Sequence, residues 1–336
     1  TNPWVLTSMF GGLALLGVFC VIETRIEHPM FHLDLFKVRA FTFGNLASLL
    51  AGLGRGGLMF MLIIWLQGIW LPLHGYDYTE APLLAGIYML PLTIGMLIAG
   101  PASGYLSDRF GARGFATGGM VAAAASFAAL TFLPVDFSYP VFAAILAFNG
   151  ISMGMFASPN RAAVMNSLPP GDRGAGGGMN QTFQNSAQVI SMGIFFTLLI
   201  IGLSSSLPHT LSSGLEAHGV AAAKAHEVGQ TPPISVLFAA FLGYNPIEHL
   251  LGSAALHELP AHSQAVLTGH GFFPHLISGP FSTGLDTAFA FAIVACLIAA
   301  GASLMRGGRY THTEPSEATR AAAAPPIPKL EESHAR

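Results

Sequence analysis

The chain has 336 residues, of which 52% are hydrophobic and only 9% charged, with a mean hydropathy of +0.57. Soluble domains carry about 25% charged residues, so this composition defines a polytopic membrane protein. The net charge of −3 comes with scattered rather than patched basic residues, which excludes a nucleic-acid-binding surface.

Apolar runs of about 20 residues mark membrane spans, and seven are predicted, at 4–22, 41–71, 83–103, 115–133, 140–160, 181–203 and 285–305. The second is long enough to tilt or to begin as an interfacial helix. Short connections at 72–82 and 134–139 carry the Pro, Gly, Asp and Tyr of turns. Residues 204–284 read as an external segment rich in Ser, Gly, His and Ala. Its best-ordered piece is expected over Ile234–Pro246, an apolar stretch too short to span and suited to an interfacial or capping helix. Residues 307–336 hold Ala, Pro and charge without periodicity and read as a disordered tail.

Orientation follows from the basic residues. All but two of the 14 Lys and Arg, the exceptions being Arg55 and Lys224, fall in the alternate connections 23–40, 104–114 and 161–180 or after residue 305. Cytoplasmic loops carry the excess of Lys and Arg, so these connections and the C-terminus are expected in the cytoplasm. Thr1 then starts outside. An odd span count with an external start that lacks Met and any visible leader predicts the C-terminal part of something longer.

Between the third and fourth spans runs Gly104-Tyr-Leu-Ser-Asp108-Arg109-Phe-Gly111-Ala-Arg113, ten residues with three charges. Spans joined so tightly form an antiparallel hairpin with its charges at one membrane face. Glycines permit close helix approach and a tight turn. Asp108 is expected just ahead of the next helix's N-terminus, where partial positive charge favours a carboxylate. A generic basic hairpin loop is the plain alternative.

The run resembles the G-x-L-[AS]-D-R-x-G-R-[KR] loop of the major facilitator superfamily of transporters, matching at Gly104, Leu106, Asp108, Arg109, Gly111 and Arg113 and departing at Ala112. The resemblance implies an all-α integral membrane fold whose six spans from 41 to 305 form a half built of two inverted three-helix repeats around a midplane site. The extra span at 4–22 with Glu23–Pro29 and Leu35–Phe41, the stretches Ser158–Arg161 and Leu168–Gly174, and the Gln67 end of span two resemble the fourteen-helix drug:proton antiporter branch. On that likeness 1–40 is a linker helix with a cytoplasmic loop, 41–306 the C-terminal half, and Gly104, Asp108, Arg109, Gly111 and Arg113 a cytoplasmic latch.

Arg55 lies mid-span in Leu53-Gly-Arg-Gly-Gly-Leu58. A cation in a bilayer must face a wet cavity or an acidic partner, so it either binds an anionic group, couples to a carboxylate elsewhere, or pairs structurally. Gln181, Gln184, Asn185 and Gln188 recur at three- and four-residue spacing and share a helix face. With Asn149 and Gln67, the last three are candidates for lining a substrate cavity; interhelical hydrogen bonding is the alternative use. No carboxylate sits at mid-membrane, since Asp286 opens the last span and Glu80 and Asp136 fall in external turns. A proton-coupled carrier would then keep its proton acceptor in a missing N-terminal half.

Other motifs carry less. His257-Glu258-Leu-Pro260-Ala-His262 has its second His one residue late and a proline within, so it lacks the unbroken helix of a zinc protease. Arg173–Gly178 lacks the Lys-Ser/Thr of a phosphate loop. Cys20 and Cys296 lie in separate apolar runs, which disfavours a disulfide or metal framework. The histidines of 204–284 read as solvated rather than pH-sensing. The expectation is a non-enzymatic secondary transporter in a bacterial cytoplasmic membrane, C-terminus inside. It needs no cofactor beyond a proton gradient, and its partners are the bilayer, a small-molecule substrate and the missing half. An uptake permease of the same fold, and a receptor or enzyme using the external segment, are the rival readings.

Overall fold

The computed structural model describes residues 3–26, 31–242 and 244–307, and all regular structure among them is helical. Seven helical segments among the described residues are long and apolar enough to cross a membrane. α1 (Pro3–Glu23) is apolar on every side and stands clear of the bundle. Near its end Glu23 accepts the Phe31 amide at 3.2 Å and Phe19 packs edge-on against Phe31.

The predicted run 41–71 is a broken span, Arg39–Leu73. It comprises α2 (Arg39–Arg55), α3 (Leu58–Trp65), a π-helical turn (Leu66–Trp70) and the short α4 (Leu71–Leu73). The break falls at Gly56 and Gly57, and Ser191 repairs it: its Oγ accepts the Gly57 amide at 3.0 Å and donates to the Leu53 carbonyl at 2.6 Å. A side chain inserted into the hydrogen-bond ladder is a recognised cause of helix kinks. The π turn has a consequence for packing. Trp65 and Trp70, five residues apart, both donate their indole N–H to the same connection, to Val135 O at 3.2 Å and Phe137 O at 2.9 Å.

α5 (Ala81–Tyr88) and α6 (Leu90–Phe110) make the third span, and α7 (Ala112–Thr131) the fourth. The charged run is therefore not a loop. α6 continues through Asp108 and Arg109, and Gly111 alone makes the turn, at φ +96°, where residues with a Cβ are strained. Asp108 accordingly lies in the last turn of α6, not directly ahead of the α7 N-terminus. α8 (Tyr139–Asn166) lies against α6 backbone to backbone: a Cβ at Gly150 would sit 2.0 Å from the Leu92 carbonyl oxygen. Small residues let membrane helices approach this closely where no hydrophobic drive separates protein from lipid.

The external segment is the main correction. α9 (Arg173–Glu216) and α15 (Phe272–Met305) run well beyond the predicted 181–203 and 285–305. At 1.5 Å per residue the 44 residues of α9 reach about 66 Å, twice the hydrocarbon thickness. Leu203, Leu207, Leu211 and Leu215 recur every four residues and stay buried to the end of the helix. Against this stripe and α15 pack α10 (Ala222–Gly229), α11 (Pro233–Leu242), α12 (Ile247–Leu251), α13 (Ser253–His257) and α14 (Ala261–Leu267), sharing one core with the spans. Sequence polarity pointed to a loop because this helical cap buries only a few apolar positions per helix. α11 covers Ile234–Leu242 of the expected Ile234–Pro246 stretch, and residues 244–246 are not helical. His257 ends α13 and His262 begins α14 across Pro260, so the protease-like pattern spans two helices. The predicted tail, apart from Gly307, lies outside the described residues.

Candidate functional site

A groove of about 130 Å³ runs between α2, α8 and α9. Ser48, Gly52 and Arg55 recur at helical spacing and bring one face of α2 to it; Met153, Phe156 and Arg161 come from α8, and Gln184 and Gln188 from α9. Arg55 is exposed along it, with Nη1 3.9 Å from Sδ of Met96 in α6. The glycines beside Arg55 serve packing. A Cβ would come within 3.2 Å of Cys296 Sγ at Gly54, 2.7 Å of the Gln188 carbonyl at Gly56 and 2.3 Å of the Phe195 ring at Gly57. The backbone is thus pressed against α9 and α15, while the long guanidinium stem reaches the groove.

Below the groove lies a buried polar network. Asn160 donates to Ser48 Oγ at 2.7 Å and to Gly44 O at 3.2 Å. Asn180 donates to Asn45 Oδ1 at 2.8 Å and Ser48 Oγ at 3.3 Å, and Gln184 donates to Asn180 Oδ1 at 2.7 Å. Arg306, buried just past α15, donates Nη2 to Asn160 Oδ1. Its Nε and Nη1 are buried and find no hydrogen-bond acceptor among the described residues. Four helix segments meet here, and the network extends from the groove toward the end where α6 turns into α7.

At that end a cavity of about 630 Å³ is bordered by Asp108, Arg109, Gly111 and Arg113 on the α6–α7 turn and by Asn166 and Arg306 opposite. Gly104 sits one turn earlier, where a Cβ would come within 2.8 Å of Ser158 Oγ, so its smallness serves the α6–α8 approach.

Of the cavity residues expected from sequence, the groove gathers Arg55, Gln184 and Gln188. The others are placed elsewhere. Asn149 is buried and donates to Ser126 Oγ at 2.6 Å, joining α8 to α7. Gln67 donates to the Phe241 carbonyl at 2.7 Å, pinning α11 to the π turn. Asn185 accepts from Gln181 at 2.9 Å on the exposed strip beside the groove. Sequence reasoning passed over Ser48, Asn160 and Asn180, and counted Arg161 and Arg306 as loop charges. The signal was present in the polar residues that interrupt apolar spans, Ser48 falling seven positions before Arg55 on the same face.

A multi-span helical bundle with a polar groove between its spans has the form of a membrane transport protein. The model of the Major Facilitator Superfamily matches residues 3–192, more than half of the chain, and the chain belongs to that family. It is a family of transporters, not enzymes. Curated relatives include the methyl viologen resistance protein SmvA of Salmonella typhimurium, 30% identical over 66% of this chain and 43% of its own length. The riboflavin transporter RibZ of Clostridioides difficile is 26% identical over 56% of this chain and 40% of its own. The tetracenomycin C resistance and export protein of Streptomyces glaucescens is 23% identical over 87% of this chain and 48% of its own. The chain spans less than half the length of each of these relatives, and the alignments run across much of the chain.

Proposed function

We propose that the chain is the C-terminal six-helix half, with one preceding linker helix, of a fourteen-helix proton-coupled exporter of amphiphilic compounds. The carrying observation is the polar groove sunk in an otherwise apolar bundle, at about 130 Å³ large enough for a ligand group but below the 300–1,000 Å³ of whole-ligand pockets. A half-site of this size needs a facing half to complete it, and alternating access needs two halves that rock against each other. Export rather than uptake draws on the relatives whose names record resistance and export. α1 acts as a peripheral linker, residues 204–284 as a cap outside the membrane, and the bacterial cytoplasmic membrane as the site of action. Arg55, Gln184 and Gln188 face the cargo, while Gln67, Asn149 and Asn185 support the helices that carry them.

Transport assays in vesicles of opposite orientation test this reading. Everted vesicles containing the complete transporter should accumulate cargo on energisation and lose it when a protonophore collapses the gradient. Accumulation confined to right-side-out vesicles would make it an uptake permease.

A further inference from the structure

The groove has an unbalanced charge. Arg55 stands toward its upper end on α2 and Arg161 toward its lower end on α8, both exposed. The Asn160–Ser48 hydrogen bond sets their relative depth: Arg161 follows Asn160, and Arg55 lies seven residues along α2 from Ser48, about 10 Å away along the axis. A third guanidinium, Arg306, lies behind Asn160. No Asp or Glu lines the groove. Among the described residues, Arg55, Arg161 and Arg306 make no ion pair within the groove, and none of the three is in the pairs Lys37–Asp34, His74–Asp136 and Lys224–Glu227.

Between the two charges the wall alternates in character. Gln184 and Gln188 offer amide groups, while Met153 and Phe156 offer apolar surface. A cation entering would meet like charge in a poorly solvated space. An anionic group would meet charge-assisted donors at both ends, and arginine cannot relieve the field by losing its proton.

We propose that this groove takes the anionic group of an amphiphilic organic anion, a carboxylate, sulfonate or phosphate monoester carried on an apolar body. The inference rests on the transporter reading and names its cargo class. The volume fits: about 130 Å³ holds a headgroup with a little water, leaving the apolar body to the facing half. Acidic side chains from the facing half are the competing occupant, and they give the opposite result in the test below.

The test uses a matched probe pair, 1-pyrenebutyrate and 1-pyrenebutylammonium, with the complete transporter in lipid nanodiscs and protein-free nanodiscs as reference. The butyrate should bind at least tenfold more tightly than the ammonium. Arg55→Gln and Arg161→Gln should each reduce the preference, and the double variant should abolish it with melting temperature unchanged. Arg55→Lys should retain part of it, as a charge role requires. Absence of an anion preference, through equal binding or through none, overturns the proposal. So does a gain of ammonium binding in Arg55→Gln, which would reveal an acid already paired with the arginine. Proteoliposome transport separates the two levels of the reading. Anion-selective binding without any transport refutes the carrier, whereas transport without anion preference refutes only the cargo class.

Discussion

Arg306 and Asn160 meet inside the bundle, the guanidinium donating to the amide oxygen while the amide nitrogen of Asn160 holds Ser48 and the Gly44 carbonyl. One side chain of α8 thus joins α2 to the residue that follows α15. Breaking a buried charged hydrogen bond by removing one partner costs far more than replacing both. Asn160→Leu should therefore destabilise the bundle by about 2–4 kcal/mol. Arg306→Met added to it should recover part of that loss. Thermal melting in detergent with a double-variant cycle measures this; strictly additive losses would show the two residues to be uncoupled.

Topology is tested by single cysteines in a background lacking Cys20 and Cys296. Ser107, though in the charged run, is buried and a poor site, whereas Gly114 is exposed with no neighbour within 4 Å of an added Cβ. Gly114→Cys should label from the cytoplasm and Ser213→Cys, on the exposed side of the α9 extension, from outside. Both labelling from one side with an impermeant reagent would overturn the orientation.

Asp108 should control conformation rather than cargo contact, because it lines the cavity at the α6–α7 turn and not the groove. Asp108→Asn should slow transport about 5- to 20-fold, a coupling of about 1–2 kcal/mol, and leave cargo affinity within about twofold. Accessibility of a cysteine at Asn166, across the same cavity, should change with it. Lost affinity with unchanged accessibility would assign Asp108 to binding instead.

The spans were legible because lipid imposes a length and polarity rule that sequence obeys directly. The turn between α6 and α7 was legible for the same reason, since Gly104 to Arg113 interrupts that rule between two apolar runs. What escaped was set by partners distant in sequence. Asn149 and Asn160 look alike as polar residues on one helix, eleven positions apart, yet one faces Ser126 of α7 and the other Ser48 of α2. Periodicity gives a residue its face and is silent on which helix that face meets. The extended ends of α9 and α15 escaped for a different reason: a helix packed along one face needs only a narrow leucine stripe, and the Ser and His around that stripe read as loop.

The π turn at Leu66–Trp70 lets two tryptophans share one partner. Both indoles grip the 134–138 connection, and Phe137 stacks on Trp70 and Phe142 at ring separations of 5.1 and 4.2 Å. At that end packed rings join the broken span to the α7–α8 connection, whereas α2, α8 and α9 meet elsewhere through buried amides and hydroxyls. Wound as a regular α-helix without the π turn, the five residues from Trp65 to Trp70 would set the two indoles about 140° apart, and only one could face the connection.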